Sequence, residues 1–112
     1  MSELTTKTCT PCKGGIPPMD KAEAEQYLQN VSGWELVDDA TRIKKNFKFP
    51  NYRETLEFVK TVGELAEQEN HHPDIFFGYG TAKVEIQTHK IGGLHQNDFI
   101  LAAKIDEAAP GL

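Results

Sequence analysis

The sequence predicts an α+β domain in which a four-stranded antiparallel sheet carries three helices on one face. Three observations lead there. Apolar periodicity runs helix, two strands, helix, two strands, helix along the 112 residues. Each strand pair is joined by a short turn, which makes the pair antiparallel. The strands are apolar on one face only, so amphipathic helices need to cover that face alone.

Residues 1–18 read as an irregular arm and 19–112 as the domain, because Pro and Gly crowd the stretch from Pro11 to Pro18. Asp20 with Glu23 has capping-box spacing and opens a first helix over 21–30, with Ala24, Tyr27 and Leu28 on one side. Ser32-Gly33 stops it. Residues 34–37 form a short strand and Asp38-Asp39-Ala40 the turn. From 42 to 49 the chain alternates, with Ile43, Lys45, Phe47 and Phe49 on one face and Arg42, Lys44, Asn46 and Lys48 on the other.

Asn51 with Glu54 repeats the capping pattern and starts a second helix, expected to run to about Asn70. Leu56, Val59, Gly63 and Ala66 supply its apolar stripe. Residues 74–80, aromatic and bounded by Pro73 and Gly80, read as the third strand. Residues 81–89 read as the fourth, with Ala82, Val84, Ile86 and Thr88 inward and Lys83, Glu85, Gln87 and His89 on the open face. Gly92-Gly93 makes a loop. The last helix runs over 99–108 with Leu101, Ile105 and Ala108 on one face and Asp98 in its first turn, where the helix dipole favours an acid.

Composition narrows the function classes. The chain suits one domain. With 12 Lys+Arg against 17 Asp+Glu, its net charge of −5 argues against nonspecific binding of nucleic acid. The basic run Arg42-x-Lys44-Lys45-x-x-Lys48 is mostly the solvated face of one strand, with no aromatic platform interleaved on that face. No apolar run approaches the ~18 residues of a membrane span. Met1-Ser2-Glu3-Leu4 lacks the basic-then-apolar layout of a secretory signal, so a cytoplasmic location is expected. Cys9-x-x-Cys12 is a lone pair, short of two further zinc ligands and outside the βαβ setting of a redox dithiol. Reduced thiols are the plain reading, with a disulfide or a shared metal as alternatives.

All four histidines lie between residues 71 and 95. Glu67-x-x-x-His71 would place a carboxylate and an imidazole on one helical face, provided the helix reaches 71. Such a carboxylate favours the protonated ring, and histidine titrates near neutral pH. Pro73 disfavours helix at His72, so the two rings could be aimed differently. The same residues also fit a polar helix terminus. Thr88-His89 stands at a strand end before a Gly-rich loop, where sites are common. Asp98 could accept a hydrogen bond from His89 and fix its tautomer. On spacing alone, an exposed strand histidine and a helix-start acid explain the pair equally well. His95 fits a helix N-cap and is given no further role. No metal site is assigned: there is no His-x-His and no helical His-x-x-x-His, and adjacent histidines seldom share one ion.

Together, Glu67-x-x-x-His71-His72-Pro73, then Tyr79, His89 and Asp98, resemble the signature of the pterin-4a-carbinolamine dehydratase family. The resemblance spans about residues 20 to 108 and takes in Gly33-Trp34 and Phe47-Lys48-Phe49. It implies the same sheet-and-helix fold. It also implies a hydro-lyase that dehydrates 4a-hydroxytetrahydrobiopterin to the quinonoid dihydropterin, returning the cofactor spent by aromatic amino-acid hydroxylases. No metal or organic cofactor is implied. By resemblance His71 and His89 are general acids for opposite stereoisomers, His72 binds substrate, and Glu67 and Asp98 tune and orient the imidazoles. Pro73, Thr88 and Trp34 resemble pocket positions, although a lone Trp more often packs. Asn97 stands where some members carry Arg, and Gln87 where some carry Ser. The resemblance further implies a homo-oligomer, dimer or tetramer. Animal members also serve as dimerisation cofactors for a transcription regulator, so an interaction module is the alternative reading. A small metal-dependent enzyme is a third.

Overall fold

The computed structural model describes residues 17–109. The arm bearing Cys9 and Cys12 and the leading Met1-Ser2-Glu3-Leu4 lie outside the described residues, as do the last three positions. The element order is α1 (Lys21–Leu28), β1 (Glu35–Val37), β2 (Arg42–Lys48), α2 (Tyr52–Glu69), β3 (Asp74–Gly78), β4 (Thr81–Ile86) and α3 (Gln96–Ala108). The strands form one antiparallel sheet in the order β1-β2-β4-β3. This is the expected α+β architecture. β4 lies between β2 and β3, and the crossover from β2 to β3 is α2.

Local chemistry starts α1 and α2 where the sequence predicts, whereas α3 begins at Gln96, three residues before the expected Phe99, because His95 caps it. Asp20 accepts the Glu23 N–H at 2.8 Å and Asn51 accepts the Glu54 N–H at 2.9 Å. Alternation along β2 and β4 buries Ile43, Phe47, Phe49, Ala82, Val84 and Ile86. The register pairs Ile43 with Ile86, Lys45 with Val84 and Phe47 with Ala82, so these side chains share one face. Phe58 of α2 packs on that face, 4.6 Å from the Phe47 ring and 5.0 Å from Phe49. The opposite face carries Lys44, Asn46, Lys48, Lys83 and Phe76, with Arg42 bonded to Glu85 at 3.0 Å.

Two helix faces differ from expectation. The buried line of α2 is Thr55, Phe58, Val62 and Ala66, whereas Leu56, Val59 and Gly63 are half-buried on its flank. Thr55 takes a core position because its hydroxyl donates to the Asn51 carbonyl at 2.9 Å and so costs no unmade bond. In α3 the buried positions run without a gap from Asn97 to Ala103, and Ala108 is exposed. The helix packs against both α1 and α2, so it is covered on more than one side.

The fourth strand ends at Ile86, short of the expected His89. Beyond it the chain folds back on itself. The Thr88 N–H donates to the Gly93 carbonyl at 2.9 Å, and the Gly93 N–H returns to Thr88 at 3.4 Å. His89–Ile91 make a 3₁₀ turn inside this closure, which Gly92 completes at φ +66°. His89 therefore leaves the ladder and enters a loop.

Candidate active site

The C-terminus of α2 aims the first histidine. Asn70 takes the left-handed conformation, φ 53° and ψ 41°, which ends the helix. The Asn70 N–H donates to Glu67 at 3.3 Å and the His71 N–H reaches back to the Ala66 carbonyl at 3.1 Å. This pair of hydrogen bonds closes the helix in a Schellman motif and turns His71 off its surface. The expected i, i+4 pairing of Glu67 with His71 therefore does not form, because helical spacing ends at Glu69. Glu67 instead accepts from His72 Nε2 at 2.6 Å, a pair open to solvent.

His71 Nε2 donates to Asp98 Oδ1 at 2.6 Å. The His71 side chain is 11% exposed and that of Asp98 is 0%. Asp98 reaches this place as the third residue of α3, within a capping box. His95 Nδ1 accepts the Asn97 N–H at 3.1 Å, and Asp98 Oδ2 accepts the His95 N–H at 2.8 Å. The Thr88 hydroxyl donates to the same Oδ2 at 2.8 Å. Asp98 is thus bonded to His71, and the pairing with His89 that the spacing suggested does not form. His89 is exposed on the loop, where its Nδ1 accepts from Gln87 Nε2 at 3.1 Å.

The fold therefore brings together His71, Asp98 and Thr88, from the end of α2, the start of α3 and the β4 extension. His89 is one residue beyond that cluster, and His72 with Glu67 flanks it at the end of α2. Pro73 is half-buried at the entrance to β3, and Tyr79 is exposed in the β3–β4 turn. Trp34 is placed elsewhere. It is 4% exposed, and its indole N–H donates to Asp106 at 3.0 Å. Asp106 is eight residues beyond Asp98 in α3, roughly 12 Å along the axis at 1.5 Å per residue.

Two participants were not foreseen. The His95 backbone N–H is one of the three donors to Asp98, a role that the capping spacing to Asp98 could have signalled. Glu69 receives the Lys104 ammonium at 2.6 Å with side chains only 8% and 16% exposed, tying the end of α2 to α3. No local pattern signals a pair this far apart in sequence. Among the described residues, no group of three or more His, Cys, Asp or Glu is placed to hold a metal ion.

The arrangement offers a ring with one nitrogen committed to a buried carboxylate and the other available for proton transfer. That carboxylate–histidine pairing orients an imidazole and fixes its tautomer.

Comparison with known proteins supplies the context. Residues 17–108 match the family model described as Pterin 4 alpha carbinolamine dehydratase. A protein of Methylococcus capsulatus named "Putative pterin-4-alpha-carbinolamine dehydratase" is 59% identical over 106 residues, covering 95% of this chain and 93% of its own. A Halorhodospira halophila protein of the same name is 60% identical over 103 residues, covering 92% and 94%. Among solved structures, a transcriptional coactivator/pterin dehydratase from Brucella melitensis superposes with a TM-score of 0.78 at 28% identity, over 83% of this chain and 99% of that one. A pterin dehydratase-like protein identified as a RuBisCO assembly factor in the alpha-carboxysome shares the fold, with a TM-score of 0.59 at 22% identity over 67% and 87%.

Proposed function

This chain belongs to the pterin 4 alpha carbinolamine dehydratase family, and from that premise we propose that it dehydrates 4a-hydroxytetrahydrobiopterin to the quinonoid dihydropterin by histidine acid–base catalysis. The observation that carries the reading is His71 held through Nε2 by the fully buried Asp98. In the elimination the proton on ring nitrogen 5 passes to a base, and the nitrogen lone pair forms the new C=N bond. The C4a–O bond breaks with its electron pair on oxygen, and a general acid protonates the departing hydroxide to water. Water is lost and no external oxidant or reductant is consumed, so acid and base groups suffice for the step without a metal or organic cofactor. A positioned acid or base is worth about 10²–10⁴-fold in such a step.

His71 and His89 are the proposed acids, one for each stereoisomer at C4a. His72 binds substrate, oriented by Glu67, and Pro73 and Thr88 border the pterin. For Trp34, the buried indole bonded to Asp106 supports a packing role. Once a separate two-electron reduction has converted it to the tetrahydropterin, the product serves an aromatic amino-acid hydroxylase in the cytoplasm again. Assembly with further copies is supported by β3, an edge strand that leaves Phe76 54% and Phe77 41% exposed. Among the described residues no helix is long and apolar enough to cross a membrane.

The test is decay of carbinolamine absorbance on adding the purified chain. The wild type accelerates it, also after chelation, and His71→Ala with His89→Ala abolishes the effect. A wild type no faster than buffer would overturn the proposal. The coactivator description of the Brucella melitensis structure favours one second reading, an interaction module for a transcription regulator. Copurification with a partner protein that survives both histidine substitutions would support it.

A further inference from the structure

We propose that Thr88 is a positioning residue whose buried hydroxyl fixes Asp98, so that His71 is held by Nε2 and exchanges its proton at Nδ1. The inference rests on the reading of His71 as an acid and adds the element that sets its working atom. By family resemblance Thr88 borders the pterin, yet the side chain is not presented to a ligand. Thr88 is 2% exposed and its hydroxyl is spent on Asp98 Oδ2 at 2.8 Å.

The hydrogen-bond inventory of Asp98 shows what this does. A carboxylate only accepts. Oδ2 takes the Thr88 hydroxyl and the His95 N–H, both at 2.8 Å, while Oδ1 takes His71 Nε2 at 2.6 Å. His71 must therefore carry a hydrogen on Nε2. Its second proton resides on Nδ1 when the ring is charged and is absent from Nδ1 when it is neutral. The carboxylate keeps Oδ1 toward His71 because two donors hold Oδ2 from different segments.

Thr88 suits this task. Its backbone is clamped by the two-way pairing with Gly93, and a β-branched side chain is stiff at χ1. A clamped backbone with a stiff rotamer leaves the hydroxyl one direction. The His95 N–H belongs to the cap of α3 itself and moves with Asp98. Among the described residues, Thr88 alone ties the carboxylate to the sheet side of the site.

The experiment uses the full chain labelled with ¹⁵N, as wild type, Thr88→Ser and Thr88→Val. Long-range ¹H–¹⁵N correlation reads the tautomer of His71, and the carbinolamine assay reads kcat and KM separately. Wild type and Thr88→Ser are expected to show His71 protonated on Nε2 in the neutral form. Thr88→Val is expected to show mixed tautomers. Its kcat should fall on the order of tenfold, the rate equivalent of one lost hydrogen bond to a charged group, with KM within about twofold. Thr88→Ser should restore most of the rate. Wild-type His71 with its hydrogen on Nδ1 would overturn the proposal whatever the variants do. So would a folded Thr88→Val with an unchanged spectrum and kcat, or with a loss confined to KM, which would mark a substrate contact. A wild type without dehydratase activity would sink the functional reading alone, because the tautomer comparison still decides the role of Thr88.

Discussion

Replacing Asp98 by asparagine is the sharpest perturbation of the site, because it preserves shape and removes one acceptor. Two fixed donors, the Thr88 hydroxyl and the His95 N–H, meet Oδ2 at 2.8 Å. In Asp98→Asn the new amide oxygen would take that place, and the amide NH₂ would face His71 Nε2. His71 must then turn a lone pair toward the amide and carry its hydrogen on Nδ1. The opposite amide orientation would set an NH₂ against the His95 N–H, and an unmade bond at this fully buried position costs about 1–3 kcal/mol. The inverted tautomer is therefore favoured by roughly tenfold or more. An imidazole in the wrong tautomer loses most of its catalytic contribution. In serine-protease triads the equivalent change costs about 10⁴-fold, and the general range for a positioned acid is ~10²–10⁴. If His71 serves one stereoisomer and His89 the other, the loss falls on one alone. The assay is stopped-flow absorbance on a mixture of both C4a epimers. The wild type clears both rapidly. Asp98→Asn should give two phases, one near the wild-type rate and one slowed at least about 10²-fold. A folded variant that clears both epimers at the wild-type rate would refute the argument.

Other expectations concern the scaffold. Asp106→Ala removes the acceptor of the Trp34 indole and the partner of Lys45 Nζ at 2.8 Å, with side-chain exposures of 14% for Asp106 and 21% for Lys45. A loss of about 2–4 kcal/mol is expected, mostly from the orphaned indole N–H. Urea unfolding followed by the emission of the one Trp reads it, and a change under about 0.5 kcal/mol would refute the account. Gly80 and Gly63 should respond to alanine in opposite senses. Gly80 has φ +76° and an added Cβ would stand 3.0 Å from the Phe49 carbonyl, so Gly80→Ala should cost about 1–3 kcal/mol. At Gly63, inside α2, the Cβ would meet nothing within 4 Å, so Gly63→Ala should gain about 0.5–1 kcal/mol. Thermal midpoints moving in one direction for both would contradict this pair.

Much of the fold was legible because its signals are local. A strand that buries one face must alternate, and residues 81–88 do so residue by residue, while 42–49 do so except at Lys45. Caps act within four residues, so Asp20 with Glu23 and Asn51 with Glu54 announce two helix starts. Thr55 shows where such reading stops. It is polar by type and buried in fact, because its hydroxyl finds a carbonyl one turn back.

The sequence by itself determined the fold class, the family and which residues could carry acid–base chemistry, since these are properties of residue type and spacing. Only the tertiary structure decided who pairs with whom. Asp98 bonds His71 and not His89, because Asn70 ends α2 in a left-handed turn and sends His71 toward the start of α3. Glu67 bonds His72 for the same reason, the helical register having ended before either histidine. Trp34 and the histidines are separated along α3, and Thr88 joins Asp98 through a loop closed by Gly93. Each is a contact between segments that the chain's local preferences do not relate. Their geometry follows from packing three helices on one sheet face, a long-range constraint that no short window of residues contains.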